Sequence, residues 1–235
     1  MANKQEHFLD QTLDSLKIRI MVMGAAVENA VGGMERALRR MDPNAARLVL
    51  EGDDAIDGFE NEIDETALNI LALHQPVACD LRFVVSALRI VVDMERVGDE
   101  AANVCNQVIL LKGTPANEVT SLVGDHLTRS VTALADALSI LRRGDAEQAL
   151  AMRNSEDEAI QGEVRILQKL VDCRTGGMAD GPLDPVFAMH MILVVHSLTR
   201  IWRRAVNIAG HVYFASLGDS IKHLPKLPKG DRIHF

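Results

Sequence analysis

The chain has 235 residues and a formal charge of −8, from 25 Lys and Arg against 33 Asp and Glu. Apolar residues make up 48% but aromatics only 3%, which excludes a disordered chain and the aromatic-rich strands of the usual β-sandwich or barrel. The acidic balance excludes a general nucleic-acid binder, which needs surplus cations to displace phosphate counterions.

A core carried by Ala, Leu, Val, Ile and Met predicts helices packed on helices, and the length suffices for one large domain or two small ones. No run of about 18 apolar residues predicts a transmembrane helix. The first ten residues include Glu6 and Asp10 and have no apolar core of the secretory-signal kind. Cys79, Cys105 and Cys173 are odd in number, far apart and outside any cysteine motif. They are expected as reduced thiols in or near the core of a cytosolic protein.

In chain order, Leu9, Leu13, Leu16, Ile20, Met23 and Val27 step by threes and fours, and Met34 and Leu38 resume the pattern. This predicts a long helix over about 7–41 with a heptad-like seam. Asp42 and Pro43 suit the N-cap and first position of a second helix running to about 74. Gln75-Pro76 breaks it, and a third helix runs to about 112, where Gly113 and Pro115 end it. A fourth helix ends near Arg143-Gly144, and Asp145 caps a fifth to about 172. The glycines and prolines of 173–185 predict a loop. A sixth helix spans about 186–217, and the Pro- and Lys-bearing tail beyond is expected to fray.

The two halves look duplicated. Leu38-Arg39-Arg40-Met41-Asp42 matches Leu141-Arg142-Arg143-Gly144-Asp145, Asp54-Ala55-Ile56 matches Glu158-Ala159-Ile160, and Arg96 with Asn103-Val104 matches Arg200 with Asn207-Ile208, all at an offset of 103 or 104. The expected fold is all-α: two tandem three-helix bundle repeats over 1–114 and 115–217, followed by a flexible tail over 218–235.

Charges placed at about 100° per residue single out one region. Glu95 and Asp99 lie one turn apart and extend the apolar stripe of Val84, Leu88 and Val91. On the preceding helix Asp53, Asp57, Glu60 and Asp64 form a stripe beside Ile56, Ile63, Ala67 and Leu71. Carboxylates crowded against apolar surface need cations or protons, and hard metal ions supply the former through oxygen ligands. A solvated acidic face paired with Arg82, Arg89 and Arg96 is the competing reading. A ferritin-type di-iron enzyme needs Glu-x-x-His motifs, and no Glu here has a His three residues on. Neither a phosphate-binding glycine loop nor a Gly-x-Ser-x-Gly elbow is present.

Several motifs carry a resemblance to a known family. Gln75-Pro76-Val77-Ala78-Cys79-Asp80-Leu81-Arg82, Met94-Glu95-Arg96-Val97-Gly98-Asp99, and Glu51-Gly52-Asp53 with Glu60 and Glu62-Ile63-Asp64-Glu65 resemble segments of the PhoU family of phosphate-transport regulators. The resemblance implies a non-enzymatic, cytoplasmic, homodimeric all-helical protein. It implies restraint of the Pst phosphate transporter, through its cytosolic ATPase subunit, and of a PhoR-type sensor histidine kinase, with no nucleic acid bound and membrane association only through partners. It also implies iron, zinc or another divalent cation at paired acidic motifs, here Glu60 with Asp64 and Glu95 with Asp99, with Asp53 and Asp57 as further ligands. The second repeat departs from that pattern: at the 104 offset these four acids become Val164, Gln168, Thr199 and Arg203. Any metal is therefore expected in the first repeat only. The alternatives are a metal-dependent helical enzyme and a generic helical adaptor.

His196 and His211 are expected as hydrogen-bonded or exposed imidazoles, Met21, Met23, Met34 and Met41 as core or seam residues, Arg82, Arg89 and Arg96 as a solvated row, and the tail lysines as a solubilising end.

Overall fold

The structure, a computed structural model, describes residues 2–174 and 184–219 and all their side chains except those of 2–6, 116–118, 120, 173 and 174. It contains α1 (Ala2–Arg40), α2 (Pro43–Leu50), α3 (Asp53–His74), α4 (Ala78–Leu110), α5 (Ala116–Arg143), α6 (Ala146–Met152), α7 (Ser155–Arg174) and α8 (Pro185–Leu217). No strand occurs among the described residues.

The second helix of each repeat is not one rod. α2 ends at Leu50 and α3 starts at Asp53; α6 ends at Met152 and α7 starts at Ser155. The breaks fall at Gly52 and Asn154, both weak helix formers. Each is followed by fresh first-turn acids, Asp53 and Asp54 or Glu156, Asp157 and Glu158, which favour a new N-terminus. The other boundaries follow their local chemistry. Asp42 Oδ1 accepts the amides of Asn44 and Ala45 at 2.9 and 3.2 Å, and Asp145 Oδ1 accepts that of Gln148 at 3.0 Å. The turns before these caps are left-handed in both repeats, at Gly144 with φ 66° and at Met41 with φ 48°. Met41 takes the strained conformation while keeping its side chain buried.

α1, α4, α8 and α5 form a ring, each packed on the next, with α2 and α3 on the α1–α4 side and α6 and α7 on the α5–α8 side. Both cross-repeat seams are antiparallel. Arg39 reaches Thr128 while Glu28, earlier in α1, meets Arg142, later in α5. Gln107 meets His190, Glu100 meets Arg200 and Asp93 meets Arg204 as α4 descends along the rise of α8. The predicted heptad seam is the core face of α1, with Leu16, Ile20, Met23, Val27, Met34 and Leu38 wholly buried. α8 is long and apolar enough by composition to cross a membrane, yet Val194, Val195, Leu198, Ile201 and Ala205 are buried, in contact with α4 and α5. Its apolarity is that of a core helix.

Cys105 is buried, and burial pushes its thiol up to about 12, with the Asp53 carboxylate adding to the effect. Cys79 is exposed rather than near the core, because it lies about 140° round α4 from the buried Val84. The Cys173 thiol, most of the 173–185 loop and nearly all of the tail lie outside the described residues.

One buried charge spans the α4–α8 seam. Asp93 is 5% exposed. Arg204 Nη1 and Asn207 Nδ2 donate to its Oδ1 at 2.9 and 3.4 Å, and His211 Nε2 lies 3.2 Å from Oδ2. Removing the carboxylate strands these donors, so Asp93→Ala should lower unfolding stability by about 2 kcal/mol, discounted for the partly exposed guanidinium. Urea unfolding measures this, and Asp93→Ala with Arg204→Leu should recover part of the loss.

Candidate cation site on the first repeat

α3 and α4 pack side by side because α4 presents a bare Cα where α3 crosses. A Cβ placed on Gly98 would stand 3.0 Å from Ile56 Cδ1 and 3.5 Å from Asp53 Oδ1. This close approach brings the acidic stripes of the two helices into one field. Asp53, Glu60, Asp64, Glu95 and Asp99 are half-buried along the join, whereas Asp57 is exposed at its edge.

The electrostatics show which acids are neighbours. Burial pushes the Glu95 carboxyl up to about 7, and Asp99 and Glu60 push the same way against the pull of Arg96. Glu60 is raised by burial, then by Asp64 and Asp57, and by Asp99 across the helix join. Asp53 is raised by burial, then by Asp57, Asp99 and Asp54. Asp64 Oδ1 is buried and has no hydrogen-bond partner among the described residues. Arg96 is the resident counter-ion, with Nε 3.3 Å from Glu95 Oε2 and Nη1 3.5 Å from Asp99 Oδ2. Among the described residues no three carboxylate, imidazole or thiol side chains already converge on one point.

Crowded oxygen donors with excess negative charge and an orphaned oxygen suit a hard cation. Paired acids one turn apart on neighbouring helices were the sequence signal for this region. The partners Gly98 and Arg96 complete it: Gly98 sets the helix spacing, and Arg96 of the predicted arginine row covers the acids. Arg96 and Arg89 are exposed, as expected of a solvated row, and Arg82 is not. Arg89 lies over the Phe214 ring, its carbon 5.8 Å from the centroid, and Arg82 is half-buried beside Gly218.

The matching region of the second repeat is built differently. Thr199 is buried and hydrogen-bonded to His126, Arg203 donates to Glu156 at 3.0 Å, and Val164 and Gln168 are exposed. Trp202 occupies the place of Gly98, its Nε1 donating to Ser155 Oγ at 3.1 Å. His196 and His211 are held by Glu163 and Asp93.

Two three-helix units joined across antiparallel seams, the first with an acidic join and the second without, define a duplicated helical bundle that has diverged between its copies. The family model described as "PhoU domain" matches it twice, over residues 20–108 and 125–212, and the chain belongs to the PhoU family. It is 32% identical to the phosphate-specific transport system accessory protein PhoU homolog of Pseudomonas putida, over 95% of this chain and 89% of that one. It is 27% identical to the accessory protein PhoU of Escherichia coli K12, over 90% and 86%. The crystal structure of PhoU from Pseudomonas aeruginosa superposes with a TM-score of 0.79 at 30% identity, covering 89% of this chain and 99% of that one.

With the folded pKa of Glu95 raised from 4.5 to about 7, the unfolded chain ionises first, so folding loses stability as pH rises from about 4.5 to 7 and the loss is complete above that. Glu95→Gln should therefore stabilise the protein at pH 8 in chelator by about 2 kcal/mol and change nothing near pH 4.5. Urea midpoints at the two pH values test this.

Proposed function

We propose that this chain restrains phosphate uptake and the phosphate-starvation response by docking on other proteins. The Pst transporter's cytosolic ATPase subunit and a PhoR-type sensor kinase are its targets. The carrying observation is the near end-to-end match of both repeats to phosphate-specific transport system accessory proteins. It acts in the cytoplasm as a homodimer, meets the membrane only through its partners and binds no nucleic acid. It acts by contact rather than by catalysis, a reading supported by its membership of a family of transport accessory proteins.

In this reading the first repeat holds iron, zinc or another divalent cation. Glu60 and Asp64 of α3 and Glu95 and Asp99 of α4 hold it, with Asp53 and Asp57 at the margin. The cation supplies positive charge that relieves the mutual repulsion of these acids and ties α3 to α4. Arg96 serves as the stand-in charge and swings toward solvent when the ion enters. Asp64 Oδ1 gains the partner it lacks.

Deleting the gene in its host should switch on a phosphate-responsive reporter at high phosphate; an unchanged reporter would favour a generic adaptor or an enzyme. Metal analysis of the purified protein should find ions lost in Glu60→Gln/Asp99→Asn but kept in Thr199→Val. Adding the divalent cation should raise the melting temperature of the unaltered protein and not that of the double variant.

A further inference from the structure

The second repeat has a gap that the first closes. α3 packs on both α1 and α4, whereas α7 leans on α8 and stands off α5. A cavity of about 140 Å³ lies between α5 and α7, with Trp202 of α8 in its wall. His126 of α5 forms part of the lining and is only 3% exposed. Its Nε2 lies 2.9 Å from Thr199 Oγ1, and that hydroxyl donates to the Val195 carbonyl at 3.0 Å. The hydroxyl therefore accepts the imidazole N–H, and the neutral ring carries its proton on Nε2. Nδ1 is left as a lone pair with no hydrogen-bond partner among the described residues. It lies against Gly162, where a Cβ would stand 2.7 Å from it, so only glycine lets α7 come this close to the ring beside the cavity.

The cavity is lined by charges of both signs, Arg129, Arg165 and Lys169 against Asp125 and Glu158. On α7, Arg165 and Lys169 line the cavity, and among the described residues neither has a carboxylate within ion-pair distance. The Arg165 guanidinium reaches to 3.9 Å from the Gly162 Cβ position. Arg129 of α5 shares its charge loosely with Asp125 at 3.8 Å and Glu158 at 3.6 Å. Glu163 of α7 is held by His196 of α8, and Arg203 of α8 by Glu156. Burial holds the His126 pKa below its ordinary value; Glu163 and Asp125 oppose this, and Arg165 and Arg129 reinforce it. Two uncompensated cations disfavour a metal on Nδ1, and the volume leaves room for a tetrahedral ion and about two waters.

We propose that this cavity binds a small tetrahedral oxyanion of the phosphate or sulfate type, held by Arg165 and Lys169, with His126 taking up a proton at Nδ1 as the anion enters. The proton comes from solvent and no bond in the anion changes. The imidazolium then donates through both nitrogens, to Thr199 and to the anion. The anion bridges α5 and α7 across the gap. The site lies in the other repeat from the acidic join and goes beyond the regulatory reading.

Trp202 is the sole tryptophan of the chain, lines the cavity and lies with its ring centroid 6.0 Å from that of His126, so its emission reports the site. Sulfate, whose charge is constant near neutrality, is the probe, with chloride at matched ionic strength as control and calorimetry as a second readout. Sulfate should change the emission saturably, with affinity about tenfold tighter at pH 6 than at pH 8. Phosphate should displace it. The exposed pair Arg165→Gln/Lys169→Gln should weaken binding about tenfold or more at both pH values while leaving the circular dichroism unchanged. No saturable response at pH 6 beyond that of chloride, equal affinity at the two pH values, failure of phosphate to compete, or unaltered affinity in the double variant would each overturn the proposal.

Discussion

The architecture depends on the antiparallel packing of α4 against α8. Neither repeat closes its own core: each offers its third helix to the other, and α1 and α5 complete the ring on the far side. Apolar burial drives that packing but does not choose among registers, because Val, Ile, Leu and Ala stripes tolerate a slip of one turn. Asp93 does choose. Its carboxylate is satisfied only where Arg204, Asn207 and His211 surround it. A shifted register would set it among apolar side chains at a cost of several kcal/mol. The outer pairs Glu100–Arg200 and Gln107–His190 fall into place once that register is set.

Helix number, order and burial were largely legible because period and punctuation agree. The α1 stripe from Leu16 to Leu38 is buried as its spacing requires, and Asp42 and Asp145 cap as their side chains allow. The breaks at Gly52 and Asn154 were less visible, since a weak helix former followed by acids can sit inside a helix as well as between two. Cross-repeat contacts were invisible: nothing local in Asp93 announces that three donors from a helix about 110 residues onward will meet it. The acidic join was half legible. Spacing placed Glu60, Asp64, Glu95 and Asp99 on facing stripes, but their closeness rests on Gly98, whose role appears only when the crossing helix is present. His126 stood on the buried stripe of α5 with Leu127 and Leu134; its chemistry comes from Thr199 and Gly162 on two other helices.

The duplication shows how one scaffold came to hold two unlike surfaces. At matched positions, Gly98 lets α3 close on α4, while Trp202 fills the same place and reaches α7 through Ser155. Glu95 is matched by Thr199, an acid that repels its neighbours by an uncharged hydroxyl that orients a ring. Asp99 is matched by Arg203, a cation paired with Glu156 where the first repeat has an acid. The backbone paths remain alike; side-chain volume and charge at a few crossings carry the difference.

The flanks bearing α3 and α7 lie on opposite sides of the central ring. α3 carries seven carboxylates and no Lys or Arg, whereas α7 sets Arg165, Lys169 and Arg174 among five carboxylates, so negative charge is concentrated on one flank of the molecule. A body so unevenly charged is turned before it touches anything: a charged partner meets a preferred face during diffusion, at a rate that salt will blunt. The two halves of the gene product thus differ in how they are approached as well as in what they hold.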